Sequence, residues 1–540
     1  VPTVIDGVAM TGRITAHAPQ FRTPAERLYV EGIDQQRLVS KLSASRRDMR
    51  PADLIATKGM AVPSKAPGRY SVTSFSPFGN VRGLIVLVDF PDRKFSLPDS
   101  LIQKKFSRMY NEEGYSDSDI FNGRKLKATG SVRDYFSAQS FGQFTPQFDI
   151  IGPITAKNGY AYYGSNGSTG KDDSRNAQKL VNEILEYLHY DSSIDLNTYD
   201  SDGNREIDFM GFIYAGNGEN YVSDTDPDCI WPHQWEISKR LGSIQRVNYF
   251  MTCELLWDSK TVFDGIGIFC HEFSHALGLP DFYYSGGNAI GSWSIMDYGS
   301  YNNEGYTPAG YLAFERYSLS WMDLDPIISP GSYTIAPLQQ GQAAFRLDTD
   351  NENQFIVLEN IQDSGWNLYH PGSGLLVTAV SYDYGKWYEN NPNSTLKKGF
   401  TVLPADGDID YAAQKSDLFP YGTKDSITMY GYPALRIDKG PYINLAVRNI
   451  SRKTNGQVTF TLDDYTTGIT GAPGNSPEIT VTPYGALLIN AAAGTPVSIS
   501  DTGGMTFRTF ISDGTETTVQ LPERGIWIVR CGSKTEKVQY

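Results

Sequence analysis

The chain has 540 residues, which is too many for one hydrophobic core, so about three to four domains are expected. Its net charge of −14 argues against a nucleic-acid partner, because phosphate backbones are bound by clusters of Lys and Arg. No apolar run approaches the ~20 residues of a transmembrane helix, so we expect no membrane-spanning segment.

The first third of the chain changes from a weakly patterned start to clear strand and helix signals. Residues 1–80 show little periodicity and are predicted to be an N-terminal leader or pro-region. The unbroken apolar runs at 83–90 and 207–215 are typical of buried strands. Residues 131–140 predict a short helix, and 171–190 predict an amphipathic one. Together they predict an α+β domain over 81–325.

A helix is predicted from about residue 261, with apolar side chains spaced by three or four residues on its core face. That stripe consists of Val262, Ile266, Phe269, Phe273 and Leu277. His271 and His275 each follow a member of the stripe by two positions, so they should face away from the core. Gly278 can adopt the left-handed conformation that ends a helix, and Pro280 prevents its continuation.

The sequence His271-Glu-Phe-Ser-His275 carries the chemistry that this helix suggests. Histidines four residues apart lie on the same helix face, where two imidazoles can bind one metal ion. Glu272 is not required as a ligand, so it can take a proton from an attacking water. This spacing is typical of zinc peptidases.

Catalytic zinc takes three protein ligands and leaves one position open, so a third ligand is needed. Asp281, Glu304 and Glu315 are the candidates. We favour Asp281, because the turn expected at Gly278 would bring it back to the two histidines.

The rest of the chain predicts mainly β-structure. A second helix is expected at 308–322, followed by short strand-like runs that indicate a β-rich accessory domain at 326–465. Residues 466–477, rich in Thr, Gly and Pro, predict a linker. The short apolar runs of 478–540 predict a small C-terminal β-sandwich.

Ser294-Ile-Met-Asp-Tyr298 resembles the Met-turn of metzincins, in which a methionine lies beneath the zinc. Met296 would form this apolar floor, and Tyr298 would approach the metal or donate to the oxyanion. With the motif at 271–281, this segment is similar to the secreted bacterial metallopeptidases of the immune inhibitor A family in the metzincin clan, over about 81–465. Supporting segments lie at 131–136, 199–204 and 230–235.

The resemblance implies a metzincin-like catalytic domain at 81–325. It also implies His271, His275 and Asp281 as zinc ligands, with Glu272 as general base and acid. Protein or peptide substrates and a secreted or cell-surface location follow from the same family. We expect the protein to act as a monomer.

A second metal site is suggested by the loop at 200–208. Asp200, Asp202 and Asn204 occupy alternate positions and Asp208 the ninth, a pattern that suits calcium. Gly203 precedes the glycine position of an EF-hand, and residue 211 is Gly where that loop has Glu. The alternative is an ordinary Asx-rich turn.

The sequence therefore predicts a secreted zinc endopeptidase with a structural calcium ion. One alternative is a cell-surface adhesin that keeps zinc as a structural ion. Structural zinc sites usually have four protein ligands and many cysteines, whereas this motif offers three ligands and an additional Glu. Another alternative is a zinc hydrolase that acts on non-peptide amides.

Overall fold

The fold is described from a computed structural model of the chain. It describes residues 3–5, 8–10, 77–165, 174–222, 228–284, 289–464 and 478–540, with gaps of one to four residues inside these ranges. Most of the predicted leader and the predicted linker therefore lie outside the described residues. A short hairpin joins Thr3–Ile5 to Val8–Met10.

A five-stranded, mostly parallel sheet organises the first part of the chain. Its strands, in spatial order, are Gln147–Thr155, Arg82–Asp89, Glu206–Asn217, Ile244–Leu255 and His233–Leu241. The last of these pairs antiparallel with its neighbour, and the other pairs are parallel. Because the inner strands are buried on both faces, they read as continuous apolar runs rather than alternating ones.

The first part of the chain also contains helices. They are Asp99–Asn111, Val132–Gln139, Tyr160–Gly164, Ser174–Tyr190, Glu219–Val222, Gly267–Ala276 and Ala313–Ser318. Single 3₁₀ turns occur at Leu196–Tyr199 and Gly291–Trp293, and a kinked one spans Tyr298–Gly305. A hairpin pairs Ser118–Phe121 with Arg124–Lys127. Among the described helices, none combines the length and apolar character needed to cross a membrane.

The predicted start of the motif helix was wrong. The helix spans Gly267–Ala276 and not a segment from 261. Phe263 instead makes an antiparallel bridge with Leu255, at the end of strand Ile244–Leu255, so the backbone before the helix pairs with the sheet. Val262 and Ile266 are buried as predicted, but from this connection and not from a helix face.

The helix expected at 308–322 is much shorter, Ala313–Ser318. Before it, the backbone amides of Ala309 and Gly310 donate to Gly299 and Asn367, so they are committed to partners outside a helix. After it, Ser320 has a positive φ of 61°, which ends the helical geometry.

The region from 325 to 464 contains two sheets that share a hydrophobic core. One sheet has the order Asp325–Pro326, Phe345–Asp348, Gln354–Ile361, Gly374–Ser381 and Phe400–Val402. The other has the order Gly331–Ile335, Val458–Asp464, Leu445–Arg452 and Ile427–Thr428. A helical turn lies at Leu338–Gly341, and 3₁₀ turns lie at Gly365–Asn367 and Lys415–Asp417. The predicted β-rich character of this region agrees with these strands.

Residues 478–540 form two antiparallel sheets around a core of their own. The three-stranded sheet contains Glu478–Val481, Ala486–Asn490 and Glu516–Gln520. The four-stranded sheet contains Thr506–Ile511, Pro496–Asp501, Ile526–Cys531 and Lys534–Gln539. The chain as a whole thus contains both helices and strands in several sheets, in agreement with the predicted α+β, multidomain class.

Candidate metal centre

The motif helix is anchored on the large sheet by aromatic side chains. Phe269 packs edge-on against Phe250, with ring centroids 4.8 Å apart. Phe273 contacts Phe209 at 4.5 Å and Phe136 at 4.8 Å. Because these rings are fully or almost fully buried, the helix has one well-defined position against the strands.

The helix ends where the sequence predicts a turn. Gly278 has a φ of 100°, a conformation that favours glycine. The Gly278 amide donates to His275 and the Leu279 amide to Ser274, so the helix closes with a reversal of the backbone. Asp281 is thereby brought back beside the helix.

His271, His275 and Asp281 converge on one point. Asp281 Oδ1 lies 3.1 Å from His271 Nε2 and 3.1 Å from His275 Nε2. The ligand atoms of the three residues all lie within 4.8 Å of one another. The structure therefore brings together the three residues predicted as zinc ligands.

Both histidines are oriented by backbone carbonyls. His271 Nδ1 lies 2.7 Å from the Ile295 oxygen, and His275 Nδ1 lies 2.7 Å from the Leu279 oxygen. A carbonyl oxygen can only accept, so each Nδ1 carries a proton. In the neutral imidazole, Nε2 then presents its lone pair toward Asp281, the tautomer that metal-binding histidines use.

This arrangement requires a positive charge at the point of convergence. Two imidazole lone pairs and a carboxylate oxygen would otherwise face one another, because the buried Asp281 Oδ1 lies between the two Nε2 atoms. Burial opposes protonation of His271, but hydrogen bonding to Asp281 and the charge of its carboxylate raise the pKa of this histidine to about 9. Burial likewise opposes charge on Asp281, yet both histidines hold the pKa of its carboxyl well below the usual range. A nitrogen–nitrogen–oxygen donor set of this kind suits zinc.

Glu272 and Tyr283 line the same centre. Glu272 is buried on the motif helix beside the first histidine. The Tyr283 ring is stacked 6.4 Å from that of His271. Burial, followed by the charges of Asp281 and Glu272, raises the pKa of Tyr283, so this phenol stays protonated. Tyr283 was not predicted, because one tyrosine among 34 carries no distinguishing pattern.

Tyr298, predicted as catalytic, is about half exposed. Its ring lies 6.3 Å from that of Tyr301. Burial raises the pKa of Tyr301 to about 12, and the charge of Glu272 contributes to that rise. Tyr298 is therefore one tyrosine removed from the centre, and its catalytic role remains a prediction.

Met296 is fully buried in the turn that follows. Its backbone amide donates a hydrogen bond to Ser294 Oγ at 3.0 Å, and its carbonyl accepts the Phe282 amide at 2.8 Å. The turn containing Met296 is thus joined to the segment that carries Asp281.

The two alternative third ligands have other partners. Glu304 accepts a hydrogen bond from Trp257 Nε1 at 2.9 Å. Glu315 accepts from Ser294 Oγ at 2.7 Å and from the Leu312 amide at 2.6 Å. Both carboxylates serve local structure, and Asp281 is the one that reaches the histidines.

The loop predicted to bind calcium also gathers carboxylates. Oxygens of Asp200, Asp202 and Asp208 lie within 4.8 Å of one another. Burial, followed by the charge of Asp200, raises the pKa of Asp202 to about 6, and burial raises that of Asp208 well above its usual value. The Asn204 amide group instead donates to Asp202 at 3.2 Å, within the Asx-type turn.

One further contact to the centre comes from far along the sequence. Asn390 Oδ1 accepts the Asp281 amide at 2.7 Å, and its Nδ2 donates to Asp281 Oδ2 at 2.5 Å. The two residues are 109 positions apart, and no motif or periodicity in the sequence marks Asn390.

Comparison with known proteins relates part of the chain to a peptidase family. Residues 79–322 match the immune inhibitor A peptidase M6 catalytic domain, which confirms the family resemblance found in the sequence. The chain is 27% identical over 270 residues to immune inhibitor A of Bacillus thuringiensis subsp. alesti, covering 42% of this chain and 38% of that protein. It is also 27% identical over 354 residues to the pre-pro-metalloprotease PrtV of Vibrio cholerae serotype O1 strain M66-2, covering 58% of this chain. In both comparisons it spans 38% of the relative's length.

Proposed function

Because residues 79–322 carry the peptidase M6 catalytic-domain pattern, we propose that this chain is a zinc-dependent endopeptidase of the metzincin type that hydrolyses peptide bonds in protein substrates. The observation that carries the proposal is the convergence of two histidines and one aspartate on one point, with Glu272 beside them. The proposed ligands are His271, His275 and Asp281.

The chain's own residues account for the proton movements of such a reaction. Zinc, when bound, would supply a Lewis acid for the peptide carbonyl and for the attacking water. Glu272 would accept the proton of that water on its carboxylate and return it to the nitrogen of the leaving amine. The buried position of Glu272 keeps bulk water from competing for this proton. Tyr298 is proposed to donate a hydrogen bond to the oxyanion.

An adhesin with a structural zinc is less well supported. Structural zinc sites are closed by four protein ligands, whereas the described residues at this point supply two histidines and one carboxylate. A closed site would also give no role to the adjacent Glu272. The name of one relative, pre-pro-metalloprotease, refers to a peptidase with leading segments, and we propose for this chain a secreted or cell-surface location.

The test replaces Glu272 by Gln in the full chain. We expect zinc to remain bound, because no ligand changes, and hydrolysis of casein and of a peptide library to fall by about 10²–10⁴-fold, the usual contribution of a general base. Removal of zinc by a chelator should abolish wild-type hydrolysis, and added zinc should restore it. Glu113→Gln, at an exposed position, is the matched control and should retain full activity.

Persistent hydrolysis in Glu272→Gln would contradict the role of Glu272 as the base. Normal zinc binding without cleavage of any peptide by the wild-type chain would favour the adhesin. Cleavage confined to non-peptide amides would favour the other hydrolase class.

We also propose that Asp200, Asp202 and Asp208 bind calcium, since three crowded carboxylates would be relieved by a divalent cation. Its role would be to stabilise the loop at the start of strand Glu206–Asn217. Calcium should raise the melting temperature of the wild-type chain and leave that of Asp202→Asn almost unchanged. An equal rise in both would contradict this site.

A further inference from the structure

Asn390 makes a two-point contact with Asp281. Its side-chain oxygen accepts the Asp281 amide at 2.7 Å, while its side-chain nitrogen donates to Asp281 Oδ2 at 2.5 Å. One planar amide thus holds both the backbone and the carboxylate of the same residue. Rotation of the carboxylate about its side-chain torsions would break the second of these bonds.

This contact gives the two carboxylate oxygens of Asp281 different partners. Oδ2 is occupied by Asn390, and Oδ1 lies 3.1 Å from each histidine Nε2. A carboxylate free to rotate could offer either oxygen, or both, to a metal. With Oδ2 held, Oδ1 alone is directed at the point where the histidines converge.

Asn390 is itself held in place by its surroundings. It has a positive φ of 56°, a conformation that asparagine tolerates better than most residues. Its backbone amide donates to the carbonyl of Trp387. The buried Trp387 ring packs against those of Phe282 and Phe314, with centroid distances of 5.7 Å and 5.4 Å.

A second asparagine of the same segment reinforces the connection. Asn393 is fully buried, and its Nδ2 donates to the Phe282 carbonyl at 2.8 Å. Its Oδ1 accepts the amides of Gly399 and Phe400. The residue that follows Asp281 is therefore fixed to the strand Phe400–Val402.

We propose that Asn390 is a positioning residue for the metal centre. It lies in the β-rich region, which the sequence analysis predicts to be an accessory domain. It acts through Asp281, by presenting a single carboxylate oxygen to the metal, and does not itself touch substrate. This inference rests on the proposed zinc site. It makes residues 326–465 part of the centre, because the third ligand is oriented from there.

The experiment measures zinc affinity of the full-length protein by competition with a chromogenic chelator. Asn390→Gly removes the amide group without straining the positive φ. We expect it to weaken zinc binding by about 10- to 100-fold, the usual cost of losing a residue that orients a ligand. Asn391→Gly is the matched control, since Asn391 is the exposed neighbour and undergoes the same chemical change. It should bind zinc like the wild type.

A double-mutant cycle with Asp281→Ala separates positioning from general structure. If Asn390 acts through Asp281, Asn390→Gly should have no further effect on zinc affinity in the Asp281→Ala background. The metal-free Asn390→Gly protein should melt close to the Asn391→Gly protein.

The failures are distinguishable. An Asp281→Ala protein with wild-type zinc affinity would overturn the ligand assignment, and with it the proposed function. If Asp281→Ala weakens binding but Asn390→Gly does not, only the positioning role fails. An equal loss from Asn390→Gly with and without Asp281 would show a structural role and overturn the inference.

Discussion

Two buried histidines of this chain are driven toward opposite protonation states by what surrounds them. Burial disfavours charge on both. For His271, Asp281 outweighs that penalty and raises the pKa to about 9. His370 lies against Trp293 with ring centroids 5.2 Å apart, and burial lowers its pKa to about 3. Without a bound metal, a carboxylate partner and not depth therefore decides which of these two histidines holds a second proton.

His370 should make the protein sensitive to acid. Its pKa falls from 6.5 to about 3 on folding, so between these values the unfolded chain binds a proton that the folded chain does not. The free energy of unfolding should therefore decrease as pH falls below 6.5, by up to about 1.4 kcal/mol per pH unit from this residue. His370→Phe keeps a ring against Trp293 but cannot titrate, so its unfolding free energy should vary less between pH 6.5 and 4. Denaturant titrations at several pH values measure this.

His189→Gln is the control for this prediction, because His189 is exposed at the end of helix Ser174–Tyr190. It should follow the wild-type pH dependence. A His370→Phe protein with an unchanged slope would show that other groups dominate acid unfolding.

The residues of the centre differ in how far sequence could reveal them. His271, His275 and Asp281 lie within eleven consecutive residues, so helix spacing and one glycine turn were enough to bring them together. Asn390 depends on packing between distant segments, which leaves no local periodicity. Tyr283 follows Asp281 by two residues, yet its approach to His271 depends on a backbone path that composition does not specify.

At the scale of elements, tertiary contacts make the motif helix shorter than its apolar periodicity predicts. Val262 and Ile266 continue the apolar spacing of the motif helix, but the helix begins only at Gly267. The backbone there passes against the 3₁₀ segment Tyr298–Gly305. A Cβ on Gly267 would lie 1.9 Å from the Ser300 carbonyl oxygen, and one on Gly265 would lie 2.1 Å from the Gly305 carbonyl carbon.

Gly267→Ala should therefore separate the motif helix from the segment that carries Tyr298. Two backbones would have to move apart, and overpacking of this kind usually costs about 1–3 kcal/mol in the free energy of unfolding. Because His271 lies one helical turn further on, zinc affinity should also fall. Thermal melting and chelator competition measure the two effects.

Gly331→Ala is the matched control, since the nearest atom to its added Cβ is 3.7 Å away, an ordinary contact. It should change neither property. A stable Gly267→Ala protein with normal zinc affinity would mean that this close approach does not set the helix position.

At the scale of the whole molecule, the two larger regions share a core. The Phe314 ring, on helix Ala313–Ser318, lies 5.7 Å from that of Phe355 and 5.0 Å from that of Phe400, both in the β-rich region. One hydrophobic cluster of the described residues runs from Val81 to Leu418 across the predicted boundary at 325. The buried side chains of 478–540 instead form a separate cluster. Residues 327–462 also enclose a cluster of their own, but Phe355 and Phe400 of that region belong to the first cluster. We therefore expect 77–464 to unfold as one cooperative unit and 478–540 as another.

Differential scanning calorimetry of the full chain should accordingly show a large transition for residues 77–464 and a smaller one for 478–540. Phe355→Ala should lower the midpoint temperature of the large transition only. The expected loss in its free energy of unfolding is about 3–5 kcal/mol, the usual value for a fully buried phenylalanine. Leu487→Ala, in the C-terminal core, is its counterpart and should lower only the small one.

The same calorimetry experiment should be repeated with added zinc. A ligand that binds only the folded state stabilises it by about 2.7 kcal/mol at one hundred times its dissociation constant. If the β-rich region unfolds together with the metal centre, zinc should raise the same transition that Phe355→Ala lowers. A separate transition that is sensitive to Phe355→Ala but unaffected by zinc would mean that the shared aromatic packing does not couple the two regions. It would also mean that Asp281 stays in place when the β-rich region is unfolded.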